Sequence, residues 1–132
     1  MGRSTNDKLL VLVVENHTEV REMLGNLVRT QGWEPLLAEG VTDAVAILRS
    51  RHVDAIIADW ELDDGDGRSL LLVAGQMRKG PIPSVMVSSY ASEELRRLAR
   101  EAGAIDLLEK PFRMNDLTDA LSQQLNLHSA TA

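Results

Sequence analysis

Residues 9–14 read LLVLVV, six apolar side chains in a row with no polar residue to mark an outward face. A strand with one wet face alternates apolar and polar residues. An unbroken run of this length fits a strand covered on both sides, as in parallel sheets. The run is far too short to cross a bilayer, which takes about 20 apolar residues. DAIIAD (54–59) and SVMVSS (84–89) repeat the pattern, and EPLLA (34–38) and AIDLLE (104–109) have the same strand character.

The covering layers are legible between these runs. Val20, Met23, Leu24, Leu27 and Val28 recur at helical spacing, and that helix ends near Gly32. Thr42 reads as an N-cap, with Ala44, Ile47 and Leu48 on the inner face of a helix reaching about Arg51. Leu70, Leu71 and Ala74 belong to a third helix, stopped by GPIP at 80–83. Ser92 caps a fourth, with Glu93 and Glu94 favourable to its dipole and Gly103 at its end. Leu117, Ala120, Leu121 and Leu125 mark a fifth. Five β-α units with buried strands predict an α/β fold: a five-stranded parallel sheet with helices on both faces and right-handed crossovers. With no repeat, linker or low-complexity segment, residues 1–132 read as one domain with its core over about 8–127. The polar residues 1–7 read as a frayed end.

Composition narrows the function. The chain has 44% hydrophobic and 26% charged residues, which is ordinary globular composition. The absence of cysteine excludes disulfides, thiolate metal sites and a thiol nucleophile, and suits a reducing cytoplasm. A net charge of −6, with two Trp, one Tyr and one Phe, argues against direct nucleic-acid binding. The N-terminal MGRSTNDK has no apolar core of signal type. The expectation is a soluble, cytoplasmic protein without a membrane role.

In open α/β sheets ligands bind beyond the carboxyl ends of the strands. The strands end in Glu15 and Asn16, in Asp59, in Ser88 and Ser89, and in Lys110 before Pro111. Carboxylates, hydroxyl and ammonium together suit a divalent cation plus a phosphoryl group. The segment AIIADWELDDGDG (55–67) crowds five acids: Asp59, Glu61, Asp63, Asp64 and Asp66. Asp63, Asp64 and Asp66 read as loop acids that favour turns and helix starts, with Asp66 capping the third helix. His17, His52 and His128 share no spacing and read as surface residues. Trp33 is expected to pack at the end of the first helix, and Trp60 to lie at a pocket rim or partner contact.

LVLVVEN, IIADWELDDGDG, VMVSS and EKPF stand in an order and spacing that resemble the receiver domain of two-component response regulators, of the chemotaxis-Y type, over roughly residues 8–127. The resemblance implies a flavodoxin-like (βα)5 fold with strand order 2-1-3-4-5. It implies that Asp59 accepts a phosphoryl group from a histidine kinase or histidine phosphotransfer protein. Ser88 would hydrogen-bond that group, Lys110 would pair with it, and the small Ser89 would leave it room. Mg²⁺ is the implied cofactor, with Glu15, Asn16, Asp59 and Glu61 as its residues, and the Lys110–Pro111 bond is implied to be cis. Output would pass to a downstream protein through the surface of the fourth and fifth strands and helices, making the chain a switch rather than a metabolic enzyme. A homodimer through its last two helices is open.

The chain departs from the family pattern in three places. Asn16 stands where the family has a metal-ligating acid, and the expectation is that Glu61, with Glu15, supplies the missing charge. Capping of the first helix is an alternative role for Asn16. Leu107 replaces a frequent Tyr or Phe, so output would rely on the loop and helix after the fourth strand. Asp63 stands where the family often has Pro. A receiver-like interaction module that works without phosphorylation is the alternative function. A phosphatase of the haloacid-dehalogenase type is disfavoured, because DWELD (59–63) has Glu61 where that family has its second Asp, and the chain leaves no room for a cap domain.

Overall fold

The structure, a computed structural model, describes residues 8–78 and 81–131, with side chains to residue 125. In chain order the elements are β1 (Leu10–Val14), α1 (Thr18–Thr30), β2 (Glu34–Ala38), α2 (Val41–Ser50), β3 (Ala55–Asp59), β4 (Glu61–Leu62), β5 (Gly65–Asp66), α3 (Gly67–Met77), β6 (Ser84–Ser88), α4 (Glu93–Glu101), β7 (Asp106–Glu109) and α5 (Met114–Thr131). The main sheet has the order β2-β1-β3-β6-β7 with every pairing parallel. This is the expected 2-1-3-4-5 order. Its numbering is shifted by a small antiparallel hairpin, β4–β5, that no hydrophobic pattern announces.

The unbroken apolar runs divide by parity. Val11, Val13, Ala55, Ile57 and Val85 point to one face, against Leu24 and Val28 of α1 and Leu117, Leu121 and Leu125 of α5. Leu12, Val14, Ile56, Ala58 and Met86 point to the other, against Ala44 and Leu48 of α2, Leu70, Leu71 and Ala74 of α3, and Ala99 of α4. Side chains alternate along a strand, so only an all-apolar run can serve two cores at once. Each fully buried leucine contributes roughly 2–3 kcal/mol of burial free energy. Among the described residues no helix is long and apolar enough to cross a membrane.

Two of the expected caps hold and one is corrected. Asp66 accepts from the Ser69 N–H at the start of α3 at 2.8 Å, and Ser92 accepts from the Leu95 N–H at the start of α4 at 3.1 Å. Thr42 does not cap α2, which begins at Val41 with Gly40 at the cap position. Asp64, from the loop inside the β4–β5 hairpin, reaches across instead. Its two carboxylate oxygens accept from the N–H groups of Val41 at 2.8 Å and Thr42 at 3.0 Å. Hydrogen bonds from Thr42 and Val41 hold the Asp64 carboxyl below the usual carboxylate range. This stabilisation is present above the ordinary carboxylate value and is lost as pH falls through the lowered one. A Cβ at Gly40 would run into the Asp64 carboxylate and displace it from the cap.

Among the described glycines, Gly67 leaves the least room for a side chain. A Cβ there would meet Met86 Cε, and would lie 3.1 Å from the Asp59 carbonyl oxygen and 3.2 Å from Trp60 Cα. Alanine normally favours a helix over glycine. Here Gly67→Ala is expected to destabilise the fold by about 1–3 kcal/mol through overpacking. Urea denaturation checks this, and unchanged stability would mean that β3 and α3 separate freely.

Candidate functional site at the carboxyl edge of the sheet

Parallel strands bring their last residues to one edge. The register pairs Val14 with Ala58, Asp59 with Val87, and Ser88 with Glu109. The ladder runs one step past the strands: the N–H of Trp60 donates to the Val87 carbonyl at 2.8 Å, and that of Lys110 to the Ser88 carbonyl at 2.9 Å. Glu15, Asp59, Ser88 and Lys110 therefore meet although 95 residues separate the outermost two. Lys110 Nζ lies 2.5 Å from Asp59 Oδ2 and 3.3 Å from Glu15 Oε1. The Lys110–Pro111 peptide is cis, as the resemblance implies. Asp59 is 4% exposed, and Glu15 and Ser88 are fully buried.

The remaining contacts are backbone-directed. The N–H of Glu61 donates to Asp59 Oδ1 at 3.0 Å, and the N–H of His17 to Glu15 Oε2 at 3.1 Å. Asn16 does not cap α1, whose N-cap is His17 without a side-chain bond. Instead its Oδ1 is buried with no hydrogen-bond partner. The Glu61 carboxylate is not turned toward Asp59 and Glu15. Its Oε2 accepts from the Ser88 hydroxyl at 2.6 Å and its Oε1 from the Ser89 N–H at 3.2 Å.

A sequence profile of the response regulator receiver domain matches residues 11–122. The chain belongs to the response regulator receiver family. This receiver is 34% identical over 108 residues to the phosphate regulon transcriptional regulatory protein PhoB of Klebsiella pneumoniae, covering 81% of the chain and 47% of that protein. It is 32% identical over 121 residues to the KDP operon transcriptional regulatory protein KdpE of Escherichia coli, covering 92% and 53%. The chain thus spans about half the length of these relatives. Its fold is shared with a CheY-like receiver domain protein from Methanospirillum hungatei, with a TM-score of 0.87 at 24% identity over 96% of this chain and 100% of that one.

The electrostatics of the receiver site follow from crowding acids beneath one lysine. Burial, reinforced by the charge of Glu15, raises the Asp59 carboxyl above its ordinary value against the pull of Lys110 and the Glu61 N–H. Burial pushes Glu15 up as well, but the His17 N–H, the Lys110 charge and the hydrogen bonds to Asp59 and Lys110 outweigh it, so Glu15 lies below its ordinary value. Burial alone would lower Lys110; the bond to Asp59 and the charges of both acids raise it. Of the two acids beside Lys110, Asp59 is the one that resists ionisation, and Lys110 stays charged.

Two residues escaped the sequence reading. Arg21 of α1 donates through Nη1 to the Glu15 carbonyl at 2.8 Å and so fixes the backbone of the loop after β1. The Tyr90 N–H donates to Ser88 Oγ at 3.0 Å and orients that hydroxyl. Trp60 corrects an expectation. It is 8% exposed and belongs to the core with Ile56 and Ala58, not to a pocket rim. The reason is parity, since residues 56, 58 and 60 share one face of an extended chain. Trp33 is half-buried against the α1–α5 core, as expected. Leu107 is 3% exposed and packed in the α2–α4 core, while Arg96 Nη1 donates to its carbonyl at 2.7 Å. Asp63 is exposed, as are His17 and His52, the latter 3.0 Å from Asp54. The His128 side chain lies outside the described residues.

Proposed function

We propose that this receiver takes a phosphoryl group from the phosphohistidine of a histidine kinase or phosphotransfer protein onto Asp59. In that step an Asp59 oxygen forms a bond to phosphorus and the phosphorus–nitrogen bond breaks. The released imidazole keeps the electron pair and takes a proton from water. The observation that carries the proposal is the Asp59 carboxylate held at a strand end by Lys110, with the Ser88 hydroxyl on the adjacent strand. Lys110 and Ser88 supply donors for the added oxygens. The chain acts as a switch rather than a metabolic enzyme. With Leu107 locked in the core, the change reaches a downstream protein through the loop after β6, α4, β7 and α5.

Among the described residues no three acidic or histidine side chains converge as a metal set. Mg²⁺ does not require one, because it keeps several waters and takes only one or two carboxylates. The partnerless Asn16 Oδ1 is an oxygen donor suited to it. Asn16, Asp59 and the main-chain carbonyl of Glu61 would hold the ion, with Glu15 adding charge beside them. When bound, it supplies charge neutralisation for the transferred group. Asn16→Asp is expected to tighten Mg²⁺ binding about tenfold by adding one charge to the site. Titration followed by Trp60 fluorescence checks this, and unchanged affinity would remove Asn16 from the ligand set.

Binding of beryllium fluoride in the presence of Mg²⁺ tests the proposal, with saturable binding expected in the wild type and none in Asp59→Asn. A second reading, an interaction module independent of phosphorylation, draws on the uncharged Asn16 and the buried Leu107. It would be favoured if the wild type and Glu61→Ala alike failed to bind the fluoride.

A further inference from the structure

Glu61 occupies two donors beside Asp59, among them the Ser88 hydroxyl that a phosphoryl group there would need. Its carboxylate takes the Ser88 O–H at 2.6 Å and the neighbouring Ser89 N–H at 3.2 Å. Ser88 is fully buried, so its hydroxyl has no exposure to water as an alternative. The Tyr90 N–H fills one lone pair of Ser88 Oγ and leaves the hydroxyl proton directed at Glu61. The Glu61 main chain is tied to Asp59 Oδ1 and to Asp66 across the β4–β5 hairpin, so the carboxylate is tethered beside the acceptor. A phosphoryl group carries negative oxygens, and it cannot share two donors with a carboxylate against like-charge repulsion.

We infer that Glu61 is an internal competitor of the phosphoryl group, a rate- and affinity-determining residue that must release Ser88 and Ser89 before Asp59 can be stably phosphorylated. The residue is exposed, so the carboxylate can swing into water without crossing the core. This rests on Asp59 being the acceptor. With acetyl phosphate as donor, the Asp59 oxygen–phosphorus bond forms as the phosphorus–oxygen bond to acetate breaks, and acetate leaves with the electron pair. Glu61 takes no part in that bond exchange and acts only on access to the donors.

The test uses the whole chain as wild type, Glu61→Ala, Glu61→Gln and Asp59→Asn. Beryllium fluoride affinity and acetyl phosphate uptake are measured at saturating Mg²⁺, and the amide spectrum is recorded without metal. Losing the competing charge-assisted hydrogen bonds should tighten fluoride binding in Glu61→Ala by on the order of tenfold or more. Uptake should be faster, Glu61→Gln should fall between, and the Ser89 amide proton should move upfield in the metal-free spectrum. A wild type that binds and reacts weakly beside a strongly reactive Glu61→Ala supports the inference most strongly. Equal or weaker binding in Glu61→Ala, or an unmoved Ser89 amide, overturns it while leaving Asp59 as acceptor. If the Ser89 amide moves but neither chain binds fluoride or takes phosphate, the acceptor reading fails and the competition fails with it.

Discussion

Lys110→Ala is expected to destabilise the fold by about 2–3 kcal/mol at pH 7 and by much less at pH 4. Lys110 is the cation in contact with two acids, Asp59 with a side chain 5% exposed and Glu15 with one fully buried. Removing one partner of a buried pair leaves the others charged without compensation. The lysine itself is 25% exposed, which lets water take over part of its task and places the cost below that of a fully buried pair. The sign with pH follows from the shifts. Lys110 is raised, so its stabilisation is complete below the ordinary lysine value and is lost only as pH rises through the raised one. Toward acid the change comes from its partners. Asp59 is raised and takes up its proton first, and the lysine then loses its nearest charge. Urea denaturation at the two pH values checks this. An equal loss at both would mean that Lys110 acts by packing its chain rather than by pairing.

Asp59→Asn is expected to stabilise the fold at pH 7, by about 1 kcal/mol or roughly 4 °C in melting temperature. An acid raised in the folded state stabilises below its unfolded value, and that contribution is lost as pH rises through the folded value. Asparagine has the same shape and does not titrate, and its single oxygen keeps one of the two bonds that the carboxylate oxygens accept from Lys110 and the Glu61 N–H. The gap between the two proteins should therefore close as pH drops below the ordinary carboxylate range. A variant less stable than the wild type at pH 7 would show that the Lys110 contact outweighs burial at Asp59. The stability given up at this position is what keeps a carboxylate at a strand end, as the proposed phosphoryl transfer requires.

The strands and the edge that carries the site were readable because both depend on short-range signals. An apolar run in β1, β3 or β6 identifies a doubly covered strand, and a parallel sheet brings the residues after such strands together. The placement of Asp59, Ser88 and Lys110 at one edge needed no further information. Contacts made across the chain by exposed polar side chains were not readable. Asp64 caps α2 from 22 and 23 residues away, and Glu61 reaches Ser88 across 27. Neither leaves a periodicity, and both depend on the two-residue strands of the β4–β5 hairpin. Trp60 was legible in principle. Its place two residues beyond Ala58 sets its face, but its position beside Asp59 suggested a rim. Asn16 needed the structure for a different reason. Only there does its oxygen prove buried and without a partner.

The central claim is that Asp59 is the atom-level acceptor of a phosphoryl group. Intact-mass spectrometry after incubation with acetyl phosphate and Mg²⁺ tests it most directly, run on the wild type, Glu61→Ala and Asp59→Asn. The expected result is a gain of one phosphate that requires Asp59, is faster in Glu61→Ala and is missing from Asp59→Asn. A gain that persists in Asp59→Asn, or no gain in any of the three, would contradict the account.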